Sequence, residues 1–286
     1  MFFCDFRETA ASREVHMVCF SPFFSVSDNS RLVGFPCGKC PVCLQKRANE
    51  WSLRISLESR MYDDLAFVTL TYSPEALYSN ELIPSHLSSF IKRLRTYSER
   101  LGFTGKIRFY GVGEYGEKRG RPHFHVVLFG LPQRFWSCIK DAWRGSIVDI
   151  QKPRTVDAVA SYVAGYVVKK LYTTSKVIMR QSQGLGKTFV DKLQHYTQTI
   201  VMNGKTRYIG RYLRNRLAKR LGVFEHVKEQ GMRALEQAFS VLIPYHIPLL
   251  LKESRESLVQ EWQRIHKGQI DYVQSLHKLK FLKGFT

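Results

Sequence analysis

The chain has 286 residues, 44% of them apolar, which suffices for a real hydrophobic core in one large domain or a domain with a second one appended. Its 44 lysines and arginines against 24 acids leave a formal charge of +20, which favours a polyanionic partner, nucleic acid before an anionic membrane surface. No run approaches 18 consecutive apolar residues and residues 1–14 carry early acids, so neither a transmembrane helix nor a signal peptide is expected; the cytoplasmic setting this implies disfavours structural disulfides among the six cysteines.

Residues 1–35 read as apolar and irregular, with turns at Ser21-Pro22 and across 27–30. Next comes Cys37-Gly38-Lys39-Cys40-Pro41-Val42-Cys43, two overlapping C-x-x-C units. Thiolates at this spacing can wrap one Zn²⁺, with Cys19 or His16 as a fourth ligand. The competing readings are three reduced cysteines at a turn before a helix and, less favoured, an iron–sulfur cluster. Residues 44–62 form a basic amphipathic helix with Leu44, Trp51 and Ile55 on its buried side; the cations opposite either touch phosphate or are simply solvated. Leu65–Tyr72 is a strand closed by Ser73-Pro74, and 84–101 is a helix with Leu87, Phe90, Ile91 and Leu94 inward, Lys92, Arg93, Arg95 and Arg100 outward, and Gly102 at its end.

Residues 106–113 alternate basic and apolar side chains like a strand, Glu114 follows, and 115–120 is a polar, Gly-containing connection of hairpin type. After Arg121 and Pro122, His123-Phe124-His125 leads into the apolar run Val126 to Phe129, which Gly130 and Pro132 stop. Strand side chains alternate, so His123 and His125 project to one face, about 7 Å apart along the strand at the usual rise. Such a pair either caps a sheet edge or chelates an ion. If the two strands pair antiparallel, Glu114 joins them, and two imidazoles plus a carboxylate leave coordination positions open for water and substrate, as a catalytic site needs.

A helix over 134–144 and a strand over 146–150 precede a helix over 155–171. At about 100° per residue, Tyr162, Tyr166 and Lys169 share one face, with Lys170 close to it. Two aromatics at this spacing are ordinary core packing, whereas a phenol beside a cation and a metal is a nucleophile arrangement. Residues 181–188 (QSQGLGKT) resemble the end of a phosphate-binding loop, but Gln181 stands where its first glycine belongs, so a mobile basic loop carrying Lys187 over a polyanion is preferred. Asn203-Gly204 marks a hairpin within 195–209, which holds Arg207, and 211–221 is a short, very basic helix with Arg211 and Arg214. Residues 249–282 read as helical, with ridges from Trp262, Tyr272, Leu276 and Leu279.

The His-hydrophobic-His strand with an upstream Glu, followed by Tyr-x-x-x-Tyr-x-x-Lys, resembles the HUH endonucleases that initiate rolling-circle replication. With PCGKCPVC, RPHFH and YVAGYVVKK taken together, 35–170 is most similar to replication initiators of gokushovirus-type microvirus phages. The resemblance implies an α+β fold, an antiparallel sheet with flanking helices, and a mainly helical C-terminal extension. The expected divisions are 1–64, a cysteine-containing segment and basic helix; 65–175, the endonuclease core; and 176–286, a basic hairpin and helical region. The function it implies is site-specific nicking and strand transfer on single-stranded origin DNA, using Mg²⁺ or Mn²⁺ at Glu114, His123 and His125. Tyr162 or Tyr166 would be the nucleophile, Lys169 and Lys170 would lie beside the phosphate, and Arg121, Lys187, Arg207, Arg211 and Arg214 would grip DNA. Host helicase and polymerase would be partners in the host cytoplasm. Two other readings of the same residues are a non-catalytic basic nucleic-acid-binding protein and a metal-dependent nuclease in which water attacks.

Overall fold

The computed structural model describes residues 19–26, 32–77, 79–116, 120–169, 177–242 and 255–282. The fold is α+β, in two compact units: one spans 44–234, and the other is drawn from 1–43 and 235–286. In the second of these, β1 (Phe23–Val26) and β2 (Leu32–Phe35) pair antiparallel, within a stretch expected to be irregular. Four residues per strand are too few for alternation to stand out in the sequence. Helices Arg255–Ile265 and Lys267–Leu282 occupy the far end of the chain, two where one was expected. Trp262, Ile270 and Val273 are buried there, while Tyr272 is exposed rather than part of an inward ridge; the side chains of Leu276 and Leu279 lie outside the described part.

The 44–234 unit is organised on a five-stranded antiparallel sheet. Its strands are β3 (Leu65–Tyr72), β4 (Arg108–Tyr115), β5 (Pro122–Phe129), β6 (Ser146–Gln151) and β7 (Ile178–Gln181), in the order β6-β3-β5-β4-β7. β5 therefore lies in the middle, hydrogen-bonded on both edges. β4 extends to Tyr115, so Glu114 is inside the strand rather than after it, because pairing continues to Tyr115 opposite Pro122.

Both sheet faces are covered, each by what its alternating side chains dictate. Phe124, Val126 and Leu128 of β5, with Ala66, Val68 and Leu70 of β3, pack against Leu87, Phe90, Ile91 and Leu94 of α2 (Pro84–Arg100) and Ile139 of α3 (Ser137–Ala142). α2 carries the expected inward set. Gly111 and Gly113 of β4 face it, and a Cβ at Gly113 would fall 2.8 Å from both Leu82 and the Phe124 ring, so these glycines let the layer sit close on the strand. The other face is filled by Tyr110, Val112, Val127 and Phe129 against Ile55 of α1 (Pro41–Ser59) and Ala160 and Val163 of α4 (Val156–Lys169).

α1 departs from the expected one-sided helix. Leu53 and Leu57 turn away from the sheet and pack on Met202, Ile209, Leu213 and Leu217, which belong to the hairpin β8 (Thr199–Met202) and β9 (Lys205–Tyr208) and to α6 (Gly210–Arg220). With apolar partners on two sides, Arg54 is not on a solvated face. Its guanidinium lies 4.0 Å over Trp51 and 4.4 Å over Tyr212, and its Nε donates to the Leu185 carbonyl. The hairpin turn is the expected Asn203-Gly204, both at positive φ (50° and 72°), as a two-residue turn of this hand requires.

The 181–188 segment is also not a mobile loop. Gln181 closes β7 on the edge of β4, Leu185 is fully buried, and Lys187 starts the short helix α5 (Lys187–Val190). The tie is a buried carboxylate: Glu58 of α1 pairs with Arg108 of β4 and accepts the Gly186 N–H at 2.7 Å, while Arg108 also donates to the Gln183 carbonyl. Three chain segments thus meet on one side chain. Removing one partner of a buried pair leaves the other charge uncompensated. Glu58→Ala should therefore lower unfolding free energy by about 3–5 kcal/mol in urea titration, whereas Glu58→Leu combined with Arg108→Met should recover most of that loss; equal stability of wild type and Glu58→Ala would contradict this account.

Candidate active site

The register of β4 on β5 sets Glu114 directly opposite His123, and Val112 opposite His125. Both histidines and Glu114 project to the face covered by α1 and α4, at the end of the sheet beyond the apolar pairs. His123 Nε2 lies 3.2 Å from Glu114 Oε1 and 3.2 Å from His125 Nε2, and His125 Nε2 lies 3.3 Å from the same carboxylate oxygen. Three ligand atoms thus form a nearly equilateral triangle, with Glu114 and His125 buried.

The other ring nitrogens are engaged. His123 Nδ1 is 3.2 Å from the Arg121 carbonyl, which can only accept, so Nδ1 carries the proton and Nε2 presents its lone pair. His125 Nδ1 is 3.2 Å from Thr69 Oγ1 on the neighbouring strand β3. With both Nδ1 atoms donating, three acceptors converge within hydrogen-bonding distance of one another, an arrangement that repels itself until a cation occupies the centre. Edges of 3.2–3.3 Å suit ligands about 2.1 Å from one ion, for which an octahedral edge is about 3.0 Å and a tetrahedral one about 3.4 Å. The donor set therefore fits a single divalent ion bound on one side only.

Tyr162 of α4 reaches this cluster. Its phenol oxygen is 3.4 Å from His125 Nε2, its ring meets His125 edge-on at 5.5 Å and Phe67 edge-on at 6.0 Å, and half of the residue is solvent-exposed (50%). Phe67 stacks on His125 at 5.7 Å and 10°, holding the imidazole plane. Ala160 and Val163 bury one side of α4, which leaves Tyr162 at the rim rather than in the core. Tyr166 and Lys169 lie on the same helix, but the side chains of 166–169 and the whole of Lys170 lie outside the described residues.

The basic residues separate by role. Arg207 on β9 donates to Ser52 Oγ at 3.2 Å, and Ser52 Oγ is 3.3 Å from Ser161 Oγ, next to Tyr162. The hairpin tip also touches α4, through a hydrogen bond from Asn203 to Asp157. Arg211 is exposed on α6, Arg214 bonds to Tyr208 Oη, and Arg121 donates to the Tyr72 carbonyl at 3.3 Å. Lys187 is half-buried beside Gly184, away from the loop position expected for it. Among residues that sequence reasoning left without a role, Thr69 and Phe67 are the ones that orient His125; only the Thr-x-Thr alternation of β3, opposite His125 and His123, hinted at them.

A second group stands in the other unit: Cys19, Cys37, Cys40 and Cys43 bring their sulfurs within 4.8 Å of one another. Cys19 is thus the fourth member, and His16 lies outside the described residues.

Residues 65–171, from β3 through α4, match the family described as replication-associated protein ORF2. The chain is 33% identical over 216 residues to replication-associated protein ORF4 of Chlamydia phage 1, covering 64% of this chain and 53% of that protein. It is 34% identical over 205 residues to replication-associated protein ORF2 of Spiroplasma virus 4 (62% and 64%), and 32% identical over 214 residues to replication-associated protein VP4 of Bdellovibrio phage phiMH2K (62% and 65%). The matched part thus spans between half and two thirds of these relatives. No solved structure matches the chain. The resemblance carried by the histidine strand and tyrosine helix is borne out: through its 65–171 segment the chain belongs to the ORF2 family of replication-associated proteins, alongside proteins of microvirus phages.

Proposed function

We propose that this chain is a metal-dependent, site-specific endonuclease and strand transferase for single-stranded DNA, which nicks a phage origin through a tyrosine and so initiates rolling-circle replication. One observation carries the reading: a half-exposed phenol, Tyr162 Oη, 3.4 Å from a nitrogen of a two-imidazole, one-carboxylate cluster. The relatives, named replication-associated, support the setting.

Glu114, His123 and His125 would hold Mg²⁺ or Mn²⁺; two imidazoles favour Mn²⁺, and Mg²⁺ is the more abundant ion in cells. When bound, the ion supplies positive charge against the non-bridging oxygens of the scissile phosphate. Tyr162 contributes the attacking oxygen. Its phenol proton leaves as the new O–P bond forms, the P–O3′ bond breaks, and the departing 3′ oxygen takes up a proton. The product is a 5′-phosphotyrosine with a free 3′-OH for the host polymerase. Because the aryl phosphodiester keeps most of the original bond's free energy, a later 3′-OH can displace tyrosine and seal the strand without ATP. Tyr166, one helical turn on, would serve alternately with Tyr162, while Lys169 and Lys170 pair with phosphate charge. Arg207 and the hairpin beside Ser161, with Arg121, Lys187, Arg211 and Arg214, would hold the strand, and a host helicase would open the duplex in the host cytoplasm.

The deciding experiment incubates the chain with labelled single-stranded DNA of its own replicon and Mn²⁺, then separates products under denaturing conditions. A labelled band at protein mass should appear with wild type, weaken with Tyr162→Phe or Tyr166→Phe alone, and vanish in the double variant. Cleavage without that band would mean that water attacks, and binding without cleavage would leave a nucleic-acid-binding protein. His123→Ala or His125→Ala should abolish cleavage yet keep salt-sensitive DNA binding within about twofold, since phosphate contacts elsewhere carry affinity. Thr69→Val removes the partner of His125 Nδ1 and should weaken Mn²⁺ binding about 10- to 100-fold in calorimetric titration, with thermal unfolding nearly unchanged; unaltered Mn²⁺ affinity would remove Thr69 from the site.

A further inference from the structure

The cysteine group is the strongest chemical feature outside the histidine site. The Sγ separations are 3.7 Å for Cys19–Cys43, 3.9 Å for Cys19–Cys40 and 4.0 Å for Cys37–Cys43, and none of the four is in a disulfide. A disulfide needs sulfurs at about 2.0 Å, so these are far outside bonding distance. A tetrahedron of sulfurs about 2.3 Å from one metal has edges of about 3.8 Å, which is the spacing seen. An iron–sulfur cluster puts several irons and sulfides between its thiolates and holds them farther apart than one shared metal does.

The backbone is shaped for thiolates as well. The N–H groups of Lys39 and Cys40 donate to Cys37 Sγ at 3.4 and 3.3 Å, and the Cys37 N–H donates to Cys19 Sγ at 3.3 Å. Gly38, at φ +73° with open space where a Cβ would be, makes the turn that aims the first two of these donors. Donors aimed at sulfur stabilise the deprotonated form that binds a metal. With four ligands from the chain and no place left for water, such a site is structural, unlike the one-sided histidine cluster.

The surroundings explain why a small assembly would use one. The unit drawn from 1–43 and 235–286 has a thin core around Phe24, Val33, Val42, Leu258, Trp262 and Val273. Trp262 donates to the Cys19 carbonyl at 2.9 Å, stacks on His266 at 3.9 Å and meets Phe24 edge-on at 5.9 Å. Segments more than two hundred residues apart in sequence are thereby gathered at the cysteines, and small cores of this kind are commonly completed by a metal.

We propose that Cys19, Cys37, Cys40 and Cys43 bind one structural zinc ion as a closed four-thiolate site that joins the start of the chain to its C-terminal helices. The test is elemental analysis of the whole chain purified without chelator. One zinc per chain is expected in wild type and in His123→Ala/His125→Ala, with loss of that zinc in Cys37→Ser/Cys40→Ser. Because the cysteine variant can fail to fold, wild type refolded with Co²⁺ provides the second measurement: strong thiolate-to-cobalt charge transfer with the d–d bands of a four-sulfur tetrahedron. Chelator-stripped wild type should be cut by protease within 1–43 or 235–286 at least about tenfold faster than the zinc form. Four thiols reacting freely in native protein without zinc, iron in place of zinc, a three-sulfur cobalt spectrum, zinc lost only with the histidines, or unchanged protease sensitivity would each overturn the proposal.

Discussion

The pairing register of β4 with β5 is the constraint on which the histidine site depends. Side chains on a strand have a period of two, so a slip of one residue would carry Glu114 to the α2 face and leave the imidazoles without a carboxylate. That slip is blocked from both sides. Gly111 and Gly113 fit only under the α2 layer, and Tyr110 and Val112 fill the core beneath α1 and α4. Strand β5 is also bonded on its other edge to β3, which contributes Thr69 opposite His125. Ligand positions on such a central strand are held by the whole core, the rigidity that a preorganised site requires.

Much of the sheet is legible in the sequence because the signals are local. Alternation in 106–113, the apolar run after His125, and the Asn203-Gly204 turn each depend on a few adjacent residues, and each element is found where it is expected. What is not legible is charge buried by tertiary partners. Glu58 and Arg54 look like members of a solvated helix face, and nothing near them in sequence announces Arg108, Gly186, Trp51 or Tyr212 as their partners. β7 is hidden for a related reason: IMRQ becomes a strand because the free edge of β4 accepts it, not because of its own pattern.

The site shows the same division. His123 and His125 share a face by strand geometry alone, and Glu114 joins them once antiparallel pairing is assumed. Thr69 and Phe67 could not be assigned in that way, since their roles come from β3 lying beside β5 rather than from any motif. Cys19 was one of two candidates to complete the cysteine group, and the choice between it and His16 needed the fold, because the partner lies 18 residues away from Cys37 across a hairpin.

The arginines carry a consequence for how the protein meets a polyanion. Arg54 is clasped between two aromatic rings, Arg108 is neutralised by Glu58, Arg216 by Asp191, and Arg93 and Arg95 donate to main-chain carbonyls of Ala142 and Ile107. The planar guanidinium, with its fork of donors, suits such internal bracing better than an ammonium does. A good part of the formal +20 is therefore structural mortar rather than surface potential. Only the cations that displace condensed ions from a nucleic-acid strand set the steepness with which affinity falls as ionic strength rises. For this chain that steepness is governed by the exposed rim of hairpin and helix, and it is shallower than the composition alone would suggest.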